Sequence, residues 1–163
     1  MTDQLFTKTY NLYYKDLYRF IYSFLRANDK TEDIIQETFI KFYEKAPDNE
    51  DKFKDWLFSV SKNLCMDLLR KEKREKDYLM TVPQKTSDSD EQDLDLMKAV
   101  DSLPPKYSEP IRLFYFASLS TKEIAHHLSI SEDAVKKRLQ RGREQLKEIL
   151  EERKDGWHWI KTT

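Results

Sequence analysis

The residues best suited to chemistry fall in 119–147, LSTKEIAHHLSISEDAVKKRLQRGREQLK, and the chemistry they suit is the reading of DNA. Their pattern predicts a short helix, a tight turn and a longer basic helix, a helix-turn-helix. Ser120 with Glu123 three residues on forms a capping box, so the first helix starts at Thr121. Ile124, Ala125 and Leu128 form its inward face, the break falls at Ser129-Ile130-Ser131, and Ser131 caps the second helix. At about 100° per residue, Val135, Leu139, Gly142, Leu146 and Ile149 share the inner face of that helix. Ala134, Lys137, Gln140, Arg141 and Glu144 point outward, with Arg138 at the border. Small Ala134 allows close approach to base edges, and Lys136, Lys137, Arg138, Arg141, Arg143 and Lys147 supply phosphate attraction. A plain amphipathic helix with a solvated face is the bland alternative. The capping box, turn and small residue together favour DNA.

The elements upstream carry two further faces. Residues 5–26 read as a first helix or helix pair rich in aromatics (Phe6, Tyr10, Tyr13, Tyr14, Tyr18, Phe20, Tyr22, Phe24), with core packing favoured over base stacking. Asn28-Asp29-Lys30-Thr31 reads as a turn, and a helix from about 32 to 45 stops before Pro47. On that helix Ile34, Ile35, Thr38, Phe39, Phe42 and Tyr43 are expected to pack inward, opposite Asp33, Gln36, Glu37, Ile40 and Glu44. An exposed isoleucine ringed by polar residues resembles a docking patch, although single exposed apolar residues are common. A long helix over about 53–77 turns Leu57, Phe58, Ser61, Leu64, Cys65, Leu68 and Leu69 inward. Trp56, Asn63, Asp67, Arg70 and Arg74 share the outer side, where they could stack on bases, bond base edges and grip phosphates. Ion pairing of Asp67 with Arg70 or Lys71 is the competing account of that surface.

Composition narrows the classes. The 29 basic and 30 acidic residues nearly cancel, but charge is segregated: residues 70–76 and 136–147 are basic and 88–95 acidic, a pattern that fits separate nucleic-acid surfaces and an acidic connector. The lone Cys65 excludes an intramolecular disulfide, fits a reducing compartment, and reads as a core thiol. No apolar run approaches membrane-spanning length, and the first residues lack a signal-peptide pattern, so a soluble, intracellular protein is expected. Two glycines, five prolines and no alternating runs point to an all-α chain. Residues 79–93 lose periodicity and read as a flexible linker. A helix at about 94–103, Pro104-Pro105 and another helix to about Phe116 lead into the helix-turn-helix.

The series TEDIIQETFIKFYEK, FKDWLFSVSKNLCMDLLRKEKR and LPPKYSEPIRLFYFASLSTKEIAHHLSISEDAVKKRLQRGREQLK resembles the extracytoplasmic-function (ECF) sigma factors of the sigma-70 superfamily over about residues 5–150. The resemblance implies two small helical domains, sigma domain 2 (1–78) and a helix-turn-helix sigma domain 4 (95–155). A flexible acidic linker (79–94) joins them, and a tail (156–163) follows. It implies a factor that binds core RNA polymerase, recognises the −10 and −35 promoter elements and aids strand opening, with an anti-sigma factor as regulator. Asp33, Gln36, Glu37 and Ile40 would dock on the clamp helices of the largest subunit. Trp56, Lys62, Asn63, Asp67, Arg70, Lys71 and Arg74 would meet the −10 element, where unstacked bases are captured. Thr121, Lys122, Ser131, Asp133, Ala134, Lys137, Arg138 and Arg141 would meet the −35 element, with domain 4 also touching the flap of the second-largest subunit. The acidic linker residues Asp88, Asp90, Glu91 and Asp93 would partly imitate nucleic-acid charge. No catalytic residue, metal, cofactor or membrane insertion is implied. The resemblance places the protein in the cytoplasm, or at the membrane through an anti-sigma factor.

Three departures from the family pattern stand out. Ser129 occupies a turn position often held by glycine, a poorer fit if the backbone there has positive φ. Pro110 falls within the expected helix before the helix-turn-helix, which must kink or begin at Ser108. The aromatic tail Gly156-Trp157-His158-Trp159 has no assigned role. Two rivals are weaker. A sensor-type regulator lacks a ligand pocket or an α/β receiver pattern. A di-iron enzyme, suggested by Glu123-x-x-His126 with His127 alongside, lacks a second half-site.

Overall fold

The computed structural model describes residues 1–79 and 91–152. Among these the order is α1 (Asp3–Leu25), α2 (Asn28–Lys45), a 3-10 turn (Glu50–Lys52), α3 (Phe53–Leu79), α4 (Glu91–Asp101), α5 (Pro105–Tyr115), α6 (Thr121–Leu128) and α7 (Glu132–Glu152), with no strand. The chain divides into two compact units, Met1–Asp88 and Ser89–Thr163.

In the first unit α1, α2 and α3 pack pairwise on one another. Their apolar stripes meet in a core of Leu17, Phe20, Ile21, Ile35, Phe39, Phe42, Phe53, Leu57 and Phe58. Phe42 is its hub, with ring centroids 4.8 Å from Phe53, 5.7 Å from Trp56 and 6.2 Å from both Phe6 and Phe39. Five hydroxyls sit on the inner faces, and each bonds a carbonyl of its own preceding turn. Thr9 donates to Leu5, Ser23 to Phe20, Thr31 to Ala27, Thr38 to Ile34 and Ser61 to Phe58, at 2.6–3.2 Å. Burial therefore leaves these hydroxyls satisfied.

The first break differs from its expectation. Asn28-Asp29-Lys30-Thr31 is the first turn of α2, and the reversal is made in two residues, Arg26 in the left-handed region (φ 51°) and extended Ala27. The Tyr18 hydroxyl donates to Asn28 Oδ1, and Thr31 bonds back to Ala27, so the polar run anchors a helix start. Residues 5–25 form part of one continuous helix that Arg26 ends, and most of its aromatics are buried or partly buried, Tyr10 being exposed.

In the second unit α5 packs on α4, α6 and α7, and α7 also receives α4 and α6. Val100, Ile111, Ile124, Val135, Leu139 and Leu150 are almost wholly buried. Close packing of α5 on α7 depends on Gly142, because a Cβ there would lie 3.0 Å from Ile111 Cγ1. The buried Arg112 guanidinium, 4% exposed, is paired with the Asp101 carboxylate. Helix α5 begins at Pro105, with Pro110 buried in its interior, so a start at Ser108 is overturned. Pro105 suits a first helical position because its missing N–H needs no partner there. Pro110 forgoes one internal bond, to the Lys106 carbonyl.

Leu79 and residues 91–94, expected as linker, are helical. The rest of that segment, including Asp88 and Asp90, lies outside the described residues, as do the side chains of Glu91 and Asp93 and the 156–163 tail.

Candidate nucleic-acid and protein interfaces

The ends of the two helices of the helix-turn-helix are set by short-range polar contacts. Ser120 Oγ accepts the Glu123 N–H at 3.1 Å while Glu123 Oε1 accepts the Ser120 N–H at 3.0 Å, which completes the capping box. Helix α6 ends in a Schellman turn. The Ile130 N–H donates to Ala125 O (3.0 Å) and the Ser129 N–H to His126 O (3.3 Å). Ser129 is left-handed there (φ 57°, ψ 44°), the conformation that glycine adopts most readily. Ser131 Oγ then accepts the Ala134 N–H at 3.0 Å and caps α7.

On α7 Lys137, Gln140 and Arg141 are exposed, and Ala134 and Arg138 partly so. Ser131, Asp133 and Lys122 are exposed beside them at the helix starts. Thr121 is not simply a solvent-facing hydroxyl, because it donates to Glu132 Oε1 at 2.8 Å and ties the start of α6 to the start of α7. Arg143 departs from the phosphate-facing set. Its Nε donates to the Tyr115 hydroxyl at 2.6 Å, and its guanidinium lies against the Phe114 and Tyr115 rings. Near its end the inner face of α7 passes to Leu150, fully buried, leaving Ile149 only partly covered. Drift of a 3.6-residue helix against its neighbours accounts for the one-position shift.

The Arg141 guanidinium, ahead of the opposing effect of burial and with help from Lys106, holds the Tyr107 phenol below its usual range. Lys106 Nζ stands 5.0 Å from the centre of the same ring.

The outer face of α3 presents Asn63, Asp67, Arg70, Lys71 and Arg74 as exposed side chains and Lys62 as a partly buried one. Asp67 and Arg70 form an exposed pair at 3.3 Å, with side chains 68% and 71% accessible. Such a pair contributes about 0.5 kcal/mol or less, so it does not commit either residue to a structural role. Trp56 belongs with the core, being partly buried against Phe42.

Helix α2 turns Asp33, Gln36, Glu37 and Ile40 outward, Ile40 being 60% exposed. Tyr43, expected inside, is 53% exposed. At 100° per residue it falls between Phe39 and Gln36, on the edge of the arc, and its ring meets Phe6 edge-on at 5.6 Å. The consequence is an open groove of about 390 Å³, lined by Phe6, Tyr10, Gln36, Phe39, Ile40, Tyr43 and Glu44. Periodicity on α2 found Gln36 and Ile40. The wall from α1 was hidden because it depends on how two helices cross.

Among the described residues no group of three or more His, Cys, Asp or Glu side chains is placed to hold a metal ion. The Glu123 carboxylate is engaged in the capping box. No helix among them is long and apolar enough to cross a membrane.

The comparisons with known proteins follow the same division. Residues 9–75 match the family model for sigma-70 region 2, and residues 93–146 match that for sigma-70 region 4. The chain is 32% identical over 149 residues to the ECF RNA polymerase sigma factor SigM of Bacillus subtilis, covering 86% of this chain and 91% of that one. It is also 32% identical to the ECF RNA polymerase sigma factor SigW of the same organism, with 84% of each covered. Among solved structures it resembles the sigma factor RpoE, crystallised with the anti-sigma factor NepR from Bartonella quintana. That match has a TM-score of 0.69 and 26% identity, and covers 91% of this chain and 98% of that one. A helical unit with an open apolar groove and a basic helix-turn-helix unit, matched in order by both sigma-70 models and over nearly full length by such relatives, make this chain a member of the ECF RNA polymerase sigma factors.

Proposed function

We propose that the protein binds core RNA polymerase through α2 and carries it to promoters whose two elements are read by α3 and α7. The observation that carries this reading is the pairing of a polar-rimmed apolar groove with an exposed basic recognition helix in one chain. On this reading Asp33, Gln36, Glu37 and Ile40 meet the clamp helices of the largest subunit, and Phe6, Tyr10 and Tyr43 extend the apolar contact. Asn63, Asp67 and Arg70 receive the unstacked −10 bases, whose extraction costs a few kcal/mol that polar contacts and stacking offset. Lys62, Lys71 and Arg74 hold the backbone, while Trp56 supports the surface from beneath. Thr121, Lys122, Ser131, Asp133, Ala134, Lys137, Arg138 and Arg141 address the −35 major groove, and the second unit contacts the polymerase flap.

The chain performs no catalysis on this reading: the polymerase makes the bonds. Residues 79–94 connect the two domains, with 1–78 as domain 2, 95–155 as domain 4 and 156–163 as a tail. An anti-sigma factor is the proposed regulator, by analogy with the complex of the Bartonella relative. The proposed location is the cytoplasm, with recruitment to the membrane where that regulator is anchored there.

The test is run-off transcription on fragments of the source genome with core polymerase, with and without this protein. New start sites are expected only with the protein present; failure to bind core, or binding without new starts, defeats the reading. Lys137→Ala should weaken −35-dependent initiation, whereas Asn63→Ala should leave promoter binding and impair opening. Intact open-complex formation by Asn63→Ala on a mapped promoter removes the −10 assignment.

A further inference from the structure

Thr121 opens α6 and Glu132 opens α7, eleven residues apart, and their side chains meet: the Thr121 hydroxyl donates to Glu132 Oε1 at 2.8 Å. Covalently the two helices are joined at the other end of α6, through the turn at Ser129, where φ is 57°. The turn and the hydrogen bond therefore hold α6 to α7 at both ends of α6. Thr121 and Glu132 are both partly buried, and Lys136 Nζ lies 3.9 Å from the same Glu132 oxygen. A hydroxyl has one hydrogen to give. While it is given to Glu132, Thr121 does not donate to a phosphate oxygen. Acidic residues in a first helical turn are favoured by the helix dipole, but that accounts for the charge of Glu132 and not for its bond across to α6.

We propose that Glu132 is a positioning residue for DNA recognition: its carboxylate latches the start of α6 to the start of α7, so that Lys122 and the outward residues of α7 meet DNA as one surface. The inference rests on the proposed role of α7 as the DNA-reading helix, and it makes Thr121 part of the latch rather than a phosphate ligand. Charge and latch pull in opposite directions here. A carboxylate at the DNA-facing end of α7 repels phosphates, whose attraction to basic side chains supplies a large share of affinity. Lys136 offsets part of that charge. The latch offsets more by preorganisation: the contacting groups of two helices are already in register, and less freedom is lost when DNA arrives.

The experiment measures binding of the full chain, assembled with core polymerase, to a duplex that carries the upstream element of a promoter mapped by run-off transcription. Each variant is first shown to be folded by circular dichroism. Glu132→Ala removes a negative charge and the latch together. It is expected to weaken binding by about three- to tenfold, the worth of one net intramolecular hydrogen bond. Unchanged or tighter binding, the result that charge alone dictates, overturns the proposal. Glu132→Gln removes the charge but keeps an oxygen that accepts from Thr121, so it should bind at least as tightly as the wild type. A loss equal to that of Glu132→Ala overturns the proposal, because the acceptor would then count for nothing. Thr121→Val removes the hydroxyl and should weaken binding as Glu132→Ala does, with no further effect in the Glu132→Ala background. Losses that simply add make Thr121 a direct DNA ligand and refute the latch while leaving the reading of α7 intact. Unchanged binding by Lys137→Ala on the same duplex overturns both.

Discussion

The α2–α3 surface and the helix-turn-helix both present polar side chains from helices, but the two are held by different forces. Beneath the first lies an interlocked aromatic cluster, with Phe42 at no measurable exposure among Phe6, Phe39, Phe53 and Trp56. Its buried hydroxyls bond carbonyls one turn back along the chain. The second adds ties between elements to its apolar core: Thr121 to Glu132, Arg143 to Tyr115 and Arg112 to Asp101. Apolar packing is non-directional and fixes helix axes, leaving surface residues free to change. Hydrogen bonds and ion pairs are directional and fix individual side chains.

The contrast can be broken at its strongest point first. Phe42→Ala should destabilise the first unit by about 3–5 kcal/mol, the range for deleting a fully buried phenylalanine, read as a lower denaturant midpoint. A cost under about 1 kcal/mol would mean that the aromatic cluster is not the support described. Asp101→Ala tests the other side. Removing this partner of the buried Arg112 should cost the second unit about 2–3 kcal/mol, below the usual loss for a broken buried pair because the Asp101 side chain is 39% exposed. The same measurement on Asp67→Ala, in the exposed Asp67–Arg70 pair, should shift stability by less than about 0.5 kcal/mol. Equal losses at the two pairs would erase the distinction between structural and surface charges.

The smallest effect sharpens the comparison within the turn. Ser129→Gly should stabilise the second unit by about 0.5–1 kcal/mol. The relief of a left-handed non-glycine residue, about 1–2 kcal/mol, is partly offset by the greater freedom of glycine in the unfolded chain. Loss of stability on this change would show that the Ser129 side chain, and not its backbone, is what the turn needs.

Much of the helix-turn-helix was legible in the residues because its signals are local. Ser120 and Glu123, and Ser131 with the Ala134 N–H, lie within one helical turn of each other, so spacing alone specifies the bond. The outward placing of Asp33, Gln36, Glu37, Ile40, Asn63, Asp67 and Arg70 followed from a 100° period for the same reason. The start of α2 was misplaced because Asn28-Asp29-Lys30-Thr31 suits either a turn or a helix N-terminus. The choice was made by a Tyr18 side chain ten residues away.

Sequence by itself determined the all-α character, the order of the helices, the caps and the two sets of outward residues, since each depends on neighbours within four positions. Tertiary structure alone decided that Tyr43 opens onto a groove with Phe6 and Tyr10, that Trp56 joins the core, and that Arg143 turns onto Phe114 and Tyr115. It also decided that α5 and α7 cross closely at Gly142, where a Cβ would lie 3.0 Å from Ile111 Cγ1. These contacts join residues on different helices, and their existence depends on the angle and distance at which those helices pack, which no periodicity along one helix encodes.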